Sequence, residues 1–339
     1  MTMTYPRLTF CVDATLDGVR IDTFLAKHLA HYSQFRVARM VQAGMAQIQH
    51  GVVPIKRRVF TGEEVSIELI EPPDMLNDVV TSSDSPVMMP EIVFEDPWIM
   101  VVNKPVGIVA HPVGEFQTGT LAQILQSHLD AQTSFPGLLR AGIVHRLDRQ
   151  TSGLMVVAKE HTSHRVLSEA FAEGRVQKAY AAIVEGVIAE DSGIIDMPIG
   201  RSPQRGTVLM STQPDARDRK PAKTRWRVLE RGAQHTLVLA RPLTGRNHQI
   251  RIHFASLGYP LLREPFYDAR GKLKPRVTPD SQVKNADDMD TDRHALHAVS
   301  LAFGHPITGV WMTFRSPLAA DLLVEWTRLR SVSKSGESI

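Results

Sequence analysis

One segment divides the chain before any element is assigned. From Glu71-Pro-Pro-Asp74 through Ser82-Ser-Asp-Ser-Pro86 to Pro90 the sequence is polar, acidic, proline-rich and without apolar period. Prolines lack a donor and resist both helix and sheet, so such a stretch reads as a linker, here residues 74–90. A chain of 339 residues broken in this way builds its core in two parts, a small one before the break and a large one after it. Residues 10–73 form the first part, 91–330 the second, and 331–339 a disordered tail.

The first part reads as a compact α/β unit. Ile21, Phe24, Leu25, His28 and Leu29 keep helical spacing. Ser33 can cap a second helix with Val37, Met40 and Val41 inward and Gly44 at its end. Strand-like runs follow at Ala46–Ile48, Val52–Ile55 and Val65–Ile70. Arg36, Arg39, Lys56, Arg57 and Arg58 give the unit a basic side.

After the break, strands dominate. Ile92–Phe94 and Ile99–Val102 flank an Asp96-Pro97 turn, and Leu154–Ala158 is a continuous apolar run of buried-strand type. Thr162–Ala172 reads as an amphipathic helix with Val166, Leu167, Ala170 and Phe171 inward, stopped by Gly174. Lys178–Val184, Thr224–Leu229 and Thr236–Ala240 read as strands, Arg246–Leu257 as a helix, and Arg270–Asp292 as an exposed loop. No nucleotide-binding glycine fingerprint occurs. The expectation is an α+β fold, a mixed and mostly antiparallel sheet with packed helices.

Composition narrows the function. Apolar residues at 43% and charged residues at 22% are ordinary for a globular protein. No apolar run reaches membrane-spanning length, and the N-terminus lacks a secretory pattern. A lone cysteine, Cys11, excludes an internal disulfide and a multi-cysteine zinc site. These features point to the cytoplasm, with no membrane partner. Net charge is only +3, but no Lys or Arg occurs from Val59 to Asn103, so the positive charge collects at Arg36–Arg58 and Arg201–Arg227. That separation suits basic surfaces facing phosphates; the alternative is two solvated faces.

The chemistry concentrates in two stretches. Gly142-Ile-Val-His145-Arg146-Leu147-Asp148-Arg149-Gln150-Thr151-Ser152-Gly153 sets charged, turn-forming residues between apolar runs. A carboxylate there must be paired or face a cleft, so Asp148 is either half of an ion pair with Arg146 or a catalytic group. Leu243-Thr-Gly245-Arg246-Asn-His248-Gln249-Ile250-Arg251-Ile-His253 opens a helix on which His248 and Arg251, three apart, share a face. Arg251 could hold a carboxylate ionised. Tyr180, at the start of a strand in Lys178-Ala-Tyr180, offers a face for stacking on a base or is a core residue.

Taken together these stretches resemble the pseudouridine synthases of the RluA branch. His145-Arg-Leu-Asp148-x-x-Thr-Ser-Gly153 is similar to the family signature, Lys178-x-Tyr180 to its tyrosine motif, and Arg246-x-His-Gln-Ile-Arg251-x-His253 to its basic motif. Asn103-Lys104-Pro105-x-Gly107 with His111-Pro112 resembles its first motif. His294-Ala-Leu-His297, His305-Pro-x-Thr-Gly309 and Phe314-x-Ser-Pro317 resemble its C-terminal end. The resemblance runs in order from Glu91 to about Leu323. It implies the pseudouridine synthase fold and RNA isomerisation with no cofactor and no metal. It also implies Asp148, Tyr180 and Arg251 as catalytic residues, with Arg146, His145, Arg246, His248 and Gln249 on the substrate.

The first part resembles the small RNA-binding domain named after ribosomal protein S-four, through Arg20-Ile-Asp22-x-Phe24-Leu25, Ser33, Val41-x-x-Gly44 and Val59-x-x-Gly62. His50-Gly51 replaces the usual Asn-Gly, and Gln34-Phe35 interrupts the basic start of the second helix. Structured RNA is the implied partner of a monomer, large-subunit rRNA first and tRNA second. Arg263-Glu264 stands where the family has Gly-Asp before Pro-x-Tyr, away from the main motifs; its expected effect is on substrate choice or the local turn. A silent RNA-binding protein and a metal-dependent hydrolase on His145, Asp148, His248, His253 and His294 are the alternatives. Against the second, Arg146, Arg149, Arg246 and Arg251 would repel a divalent cation.

Overall fold

A computed structural model describes residues 7–29, 32, 34–69, 89–111, 119–133, 139–203, 209–274 and 293–331. The Ser33 cap, the side chain of Arg39, linker residues 74–88, the loop from 275 to 292 and the tail from 332 lie outside the described residues.

The N-terminal unit carries helices α1 (Ile21–His28) and α2 (Gln34–Gln42) and strands β1 (Arg7–Cys11), β2 (Ala46–Ile48), β3 (Gly51–Val52) and β4 (Glu64–Glu68). The strands pair in the order β1-β4-β2-β3, so the sheet begins at Arg7, before the expected boundary at residue 10. The run read as a strand over Val52–Ile55 ends at Val52. Pro54 cannot donate to a ladder, and the chain turns there, with the Arg57 amide donating to the Pro54 carbonyl. Ile21, Phe24, Leu25, Val37 and Val41 pack under this sheet against Val65 and Ile67.

The larger part contains β5 (Glu91–Glu95), β6 (Ile99–Lys104), α3 (Leu121–Ala131), β7 (Gly142–Ile143), β8 (Ser152–Ala158), α4 (His161–Ala172) and β9 (Gln177–Glu185). There follow β10 (Ser192–Asp196), β11 (Ile199–Arg201), β12 (Met210–Ser211), β13 (Arg217–Lys220), β14 (Lys223–Arg231), β15 (His235–Pro242) and α5 (Gln249–Ser256). The chain continues through β16 (Leu296–Gly304) and β17 (Trp311–Arg315) to α6 (Ala320–Ser331). A ten-stranded sheet runs β10-β14-β15-β9-β16-β8-β6-β5, with β17 on β16 and β7 on β8; β12-β11-β13 form a separate three-stranded sheet. Among the described residues of the large sheet only the β16/β8 pair is parallel, so the fold is α+β with a mostly antiparallel sheet, as the sequence implied.

The unbroken apolar run of β8 is explained by cover on both faces. Met100, Val102, Met155 and Val157 face α3 through Leu121, Leu125 and Leu129. Ile99, Val101, Leu154 and Val156 face α4 through Leu167 and Ala170. A strand buried on both faces needs no polar alternation. At the tight β5–β6 turn the Asp96 carboxylate accepts from the Trp98 and Ile99 amides, each at 2.8 Å.

The parallel β8/β16 junction fixes the signature's last residue. Gly153 has φ +118, and a Cβ there would collide with the backbone of Ala298. Only glycine lets the two chains approach this closely. Among the described residues no helix is long and apolar enough to cross a membrane.

Candidate active site

The loop from Val144 to Gln150 is pinned from several directions. Lys104, fully buried, donates to the carbonyls of Pro105, Ile108 and Arg149 at 2.8, 2.9 and 3.2 Å. The Gly107 amide donates to the Arg149 carbonyl at 2.9 Å, and Arg149 Nε returns a bond to the Gly107 carbonyl at 3.0 Å. The first motif thus acts as a clamp on the loop that presents Asp148. Within that loop the Thr151 amide donates to the Asp148 carbonyl at 3.0 Å, and the Thr151 hydroxyl lies 2.8 Å from His294 Nε2. His145 Nε2 accepts from the Val156 amide at 3.0 Å while its ring stacks on Phe171, 4.4 Å between centroids. One nitrogen of this expected substrate contact is therefore committed to the fold.

Asp148 pairs with Arg251, not with Arg146. Arg251 Nη1 donates to Asp148 Oδ2 at 2.9 Å, and Arg146 is exposed. Arg251 is buried and also grips Glu264 with two hydrogen bonds, Nε to Oε2 at 2.9 Å and Nη2 to Oε1 at 2.8 Å. Arg263-Glu264 was expected to leave the main motifs untouched; instead Glu264 binds the basic motif's arginine directly. Arg263 takes φ +59, the left-handed conformation that favours the family's glycine.

The helix carrying Arg251 starts later than its sequence suggests. Arg246 and Asn247 lie in a turn, His248 is left-handed at φ 52, and α5 begins at Gln249. Gln249 is the cause: its Oε1 accepts from the Thr244 hydroxyl and the Arg246 amide, and its Nε2 donates to Lys223 O and Thr224 Oγ1. Both amide ends are used inside the fold, so Gln249 shapes the turn and has no bond left for substrate. Arg246 donates to the Pro221 carbonyl at 3.1 Å. His253 is buried, with its two ring nitrogens at Thr224 and the Met197 carbonyl.

His248 reaches the same carboxylate, its Nε2 lying 3.9 Å from Asp148 Oδ2. Its Nδ1 is 2.8 Å from the Tyr267 hydroxyl, which accepts from the Met210 amide at 3.2 Å. The phenol proton then goes to Nδ1, and Nε2–H faces Asp148. Tyr267 and Glu264 were not assigned roles from sequence. Their only signal there was the Arg263-Glu264-Pro265-Phe-Tyr267 run and its departure from the family pattern.

Burial pushes the Asp148 carboxyl up, but the charges of His248, Arg251 and His294 and the Arg251 hydrogen bond outweigh it and hold the group well below its ordinary range. Burial followed by the Arg251 charge lowers His248 to about 4 and His294 to about 3. Both rings are neutral at pH 7, so Arg251 alone of these cations keeps Asp148 ionised there. Glu264 is held low in the same way, burial opposed by the Arg251 charge.

A cleft of about 1450 Å³ opens above the pair. Asp148, Tyr180, His248 and Arg251 line it, with Arg146, Lys178 and Arg246 adding positive charge. Tyr180 is largely buried in β9, and burial, then the Asp148 charge, pushes its hydroxyl up. In the N-terminal unit several of the basic residues are engaged within the fold, and one is paired with a carboxylate. Arg57 pairs with Glu63 at 2.6 Å, Arg58 donates to the Gly18 carbonyl, and Arg36 lies over the Tyr32 ring, while Lys56 is exposed. The site can hold an ionised carboxylate beside a flat aromatic face in a cationic cleft.

The RNA pseudouridylate synthase model matches residues 98–256. An uncharacterized RNA pseudouridine synthase of Bacillus subtilis is 37% identical over 303 residues, 89% of this chain and 91% of the relative. The ribosomal large subunit pseudouridine synthase D of Pseudomonas aeruginosa is 37% identical over 312 residues, 91% of each. The structure of human RNA pseudouridylate synthase domain containing 4 superposes with TM-score 0.54 at 25% identity, covering 70% of this chain and 92% of the other.

Proposed function

The chain belongs to the RluA branch of the RNA pseudouridine synthase family, which are RNA isomerases, and we propose that it converts specific uridines of large-subunit ribosomal RNA to pseudouridine with Asp148 as the reacting carboxylate. The observation that carries this reading is the ionised Asp148 at the base of a cationic cleft, one oxygen anchored 2.9 Å from Arg251. The substrate assignment rests on relatives named for the large ribosomal subunit, including those of Pseudomonas aeruginosa and Vibrio vulnificus.

Isomerisation breaks the bond from ribose C1′ to uracil N1, turns the base and joins C1′ to C5. C5 loses a proton and N1 gains one, so the reaction balances without an oxidant. An ionised carboxylate with a fixed free oxygen serves as nucleophile or base in this sequence. Arg251 is its partner and holds it charged at neutral pH. The target base must leave its stack, at a cost of a few kcal/mol. Arg146, exposed at the cleft, is suited to fill the space the base vacates, and Tyr180 offers a face on which the extruded uracil stacks. His248 and Arg246 contact the RNA around it. We assign His145 and Gln249 to supporting the site, because their bonding groups are engaged by Val156, Thr244 and Lys223. The N-terminal unit, with Arg36, Arg39, Lys56, Arg57 and Arg58, adds a second contact to structured RNA.

The test is release of tritium from C5 of uridine in unmodified rRNA transcripts. Purified protein should release it with no addition, and Asp148→Asn should lower release by at least a thousandfold, about 4 kcal/mol in barrier. A wild-type protein that forms no pseudouridine on these transcripts defeats the proposal.

A further inference from the structure

The cationic cleft does not stop at the catalytic pair. It continues past the start of β9 and the end of β15 to Arg225, Arg227 and Arg241. A shallower depression of about 340 Å³ lies among the same three arginines, Ile194 and Trp226. On β14 the burial alternates, with Thr224 and Trp226 inward and Arg225 and Arg227 exposed. In the β14/β15 register Arg225 stands directly opposite Arg241. Cross-strand partners have Cβ atoms about 4.5–5.5 Å apart, and like charges in that relation repel.

Some exposed arginines elsewhere are neutralised by the fold, although Arg315 is not. Arg165 pairs with Glu169, Arg175 with Glu173, and Arg231, on the same strand β14, with Asp191. Asp196, on the neighbouring strand, is taken by Lys223. Among the described residues Arg225, Arg227 and Arg241 have neither an ion pair nor a side-chain hydrogen bond. Two opposed guanidiniums with no carboxylate between them, on an open face joined to an RNA-modifying cleft, leave their donors free for an anion.

We propose that Arg225 and Arg241 form a phosphate clamp that grips the RNA backbone outside the target nucleotide, with Arg227 beside them. Each guanidinium presents a planar fork of donors that matches phosphate oxygens, so one phosphate between the two accepts from both and cancels their repulsion. The face continues across Ala179 and Ser300 to Arg315, which is opposite Ser300 on β17. Arg241 and Arg315 are three strand spacings apart, about 14 Å. Small residues between them leave a trough for the chain. The clamp rests on the RNA isomerase reading and extends it to a second place on the molecule.

The experiment measures filter binding of the full-length protein to an unmodified large-subunit rRNA transcript between 50 and 200 mM salt, with thermal unfolding alongside. The Arg225→Gln/Arg241→Gln variant should bind more weakly. Its slope of log affinity against log salt should be shallower by about 0.7–0.9, one phosphate's worth. Arg225→Glu, which creates a cross-strand partner for Arg241, should bind more weakly still and unfold at the same temperature or higher. An unchanged salt slope overturns the clamp. So does a fall in unfolding temperature in both variants that accompanies the loss of affinity, which marks the arginines as structural. Tritium release by wild type is measured on the same transcript. Its absence sinks the isomerase reading, whereas active wild type with an unaltered slope sinks the clamp alone.

Discussion

Replacing Arg251 with methionine would leave two carboxylates, the half-buried Asp148 and the buried Glu264, without the cation they share. Arg251 is 1% exposed and Glu264 1%, and three of its bonds to them span 2.8–2.9 Å. Breaking a buried ion pair by removing one partner costs about 3–5 kcal/mol. At about 2–4 °C per kcal/mol for a domain of this size, the midpoint should fall by roughly 6–20 °C at pH 7. The pH dependence is the sharper signature. In wild type both carboxyls are held below their unfolded pKa of about 4. Their stabilisation is therefore fully present above pH 4, is lost only as pH falls through the folded values, and is flat between pH 5 and 8. In the variant the Arg251 charge and hydrogen bonds that oppose burial are gone, and although the Phe266 amide still bonds Glu264, the carboxyls rise above the unfolded value. Stability is then greatest at low pH and lost as pH rises through the raised pKa. Calorimetric unfolding at pH 5, 6, 7 and 8 should show a deficit that grows with pH. A deficit that is constant across this range, or below about 2 °C, would refute the account of Arg251 as the shared counter-charge.

Gly153→Ala should prevent β8 and β16 from meeting, because the new Cβ collides with the Ala298 backbone and φ +118 strains any side chain. We expect a loss of about 3 kcal/mol or more, read as lower soluble yield and midpoint. Tyr267→Phe removes the hydroxyl between Met210 and His248. It should cost about 1–3 kcal/mol, seen by denaturant titration, and let His248 adopt the other tautomer, visible in its ring nitrogen NMR shifts.

Family and chemistry were legible in the sequence because they rest on contiguous residues. The loop around Asp148, the β9 tyrosine and the arginine of α5 each carry several fixed identities within a short span, so their order along the chain is informative. Strands β6, β8, β9, β14 and β15 and helix α4 were legible from periodicity, since burial on one or both faces dictates which side chains are apolar. Helix α3 and strands β16 and β17 were not assigned. The start of α5 was misread because a side chain, Gln249, and not a local propensity, holds Arg246 and Asn247 in a turn.

By itself the sequence determined the α+β class and offered Asp148 as a candidate carboxylate and Arg251 as a cation that could serve one, because residue type sets what a group can do and spacing sets which element carries it. Only the tertiary structure decided which charges meet. Asp148 and Arg251, 103 positions apart, are joined by the path of the sheet, and Glu264 joins them although its place in the sequence looked peripheral. The opposed Arg225 and Arg241 are a product of strand register, which no local pattern displays. Coulomb energies depend on distance and burial, and both are fixed only when the chain has closed on itself.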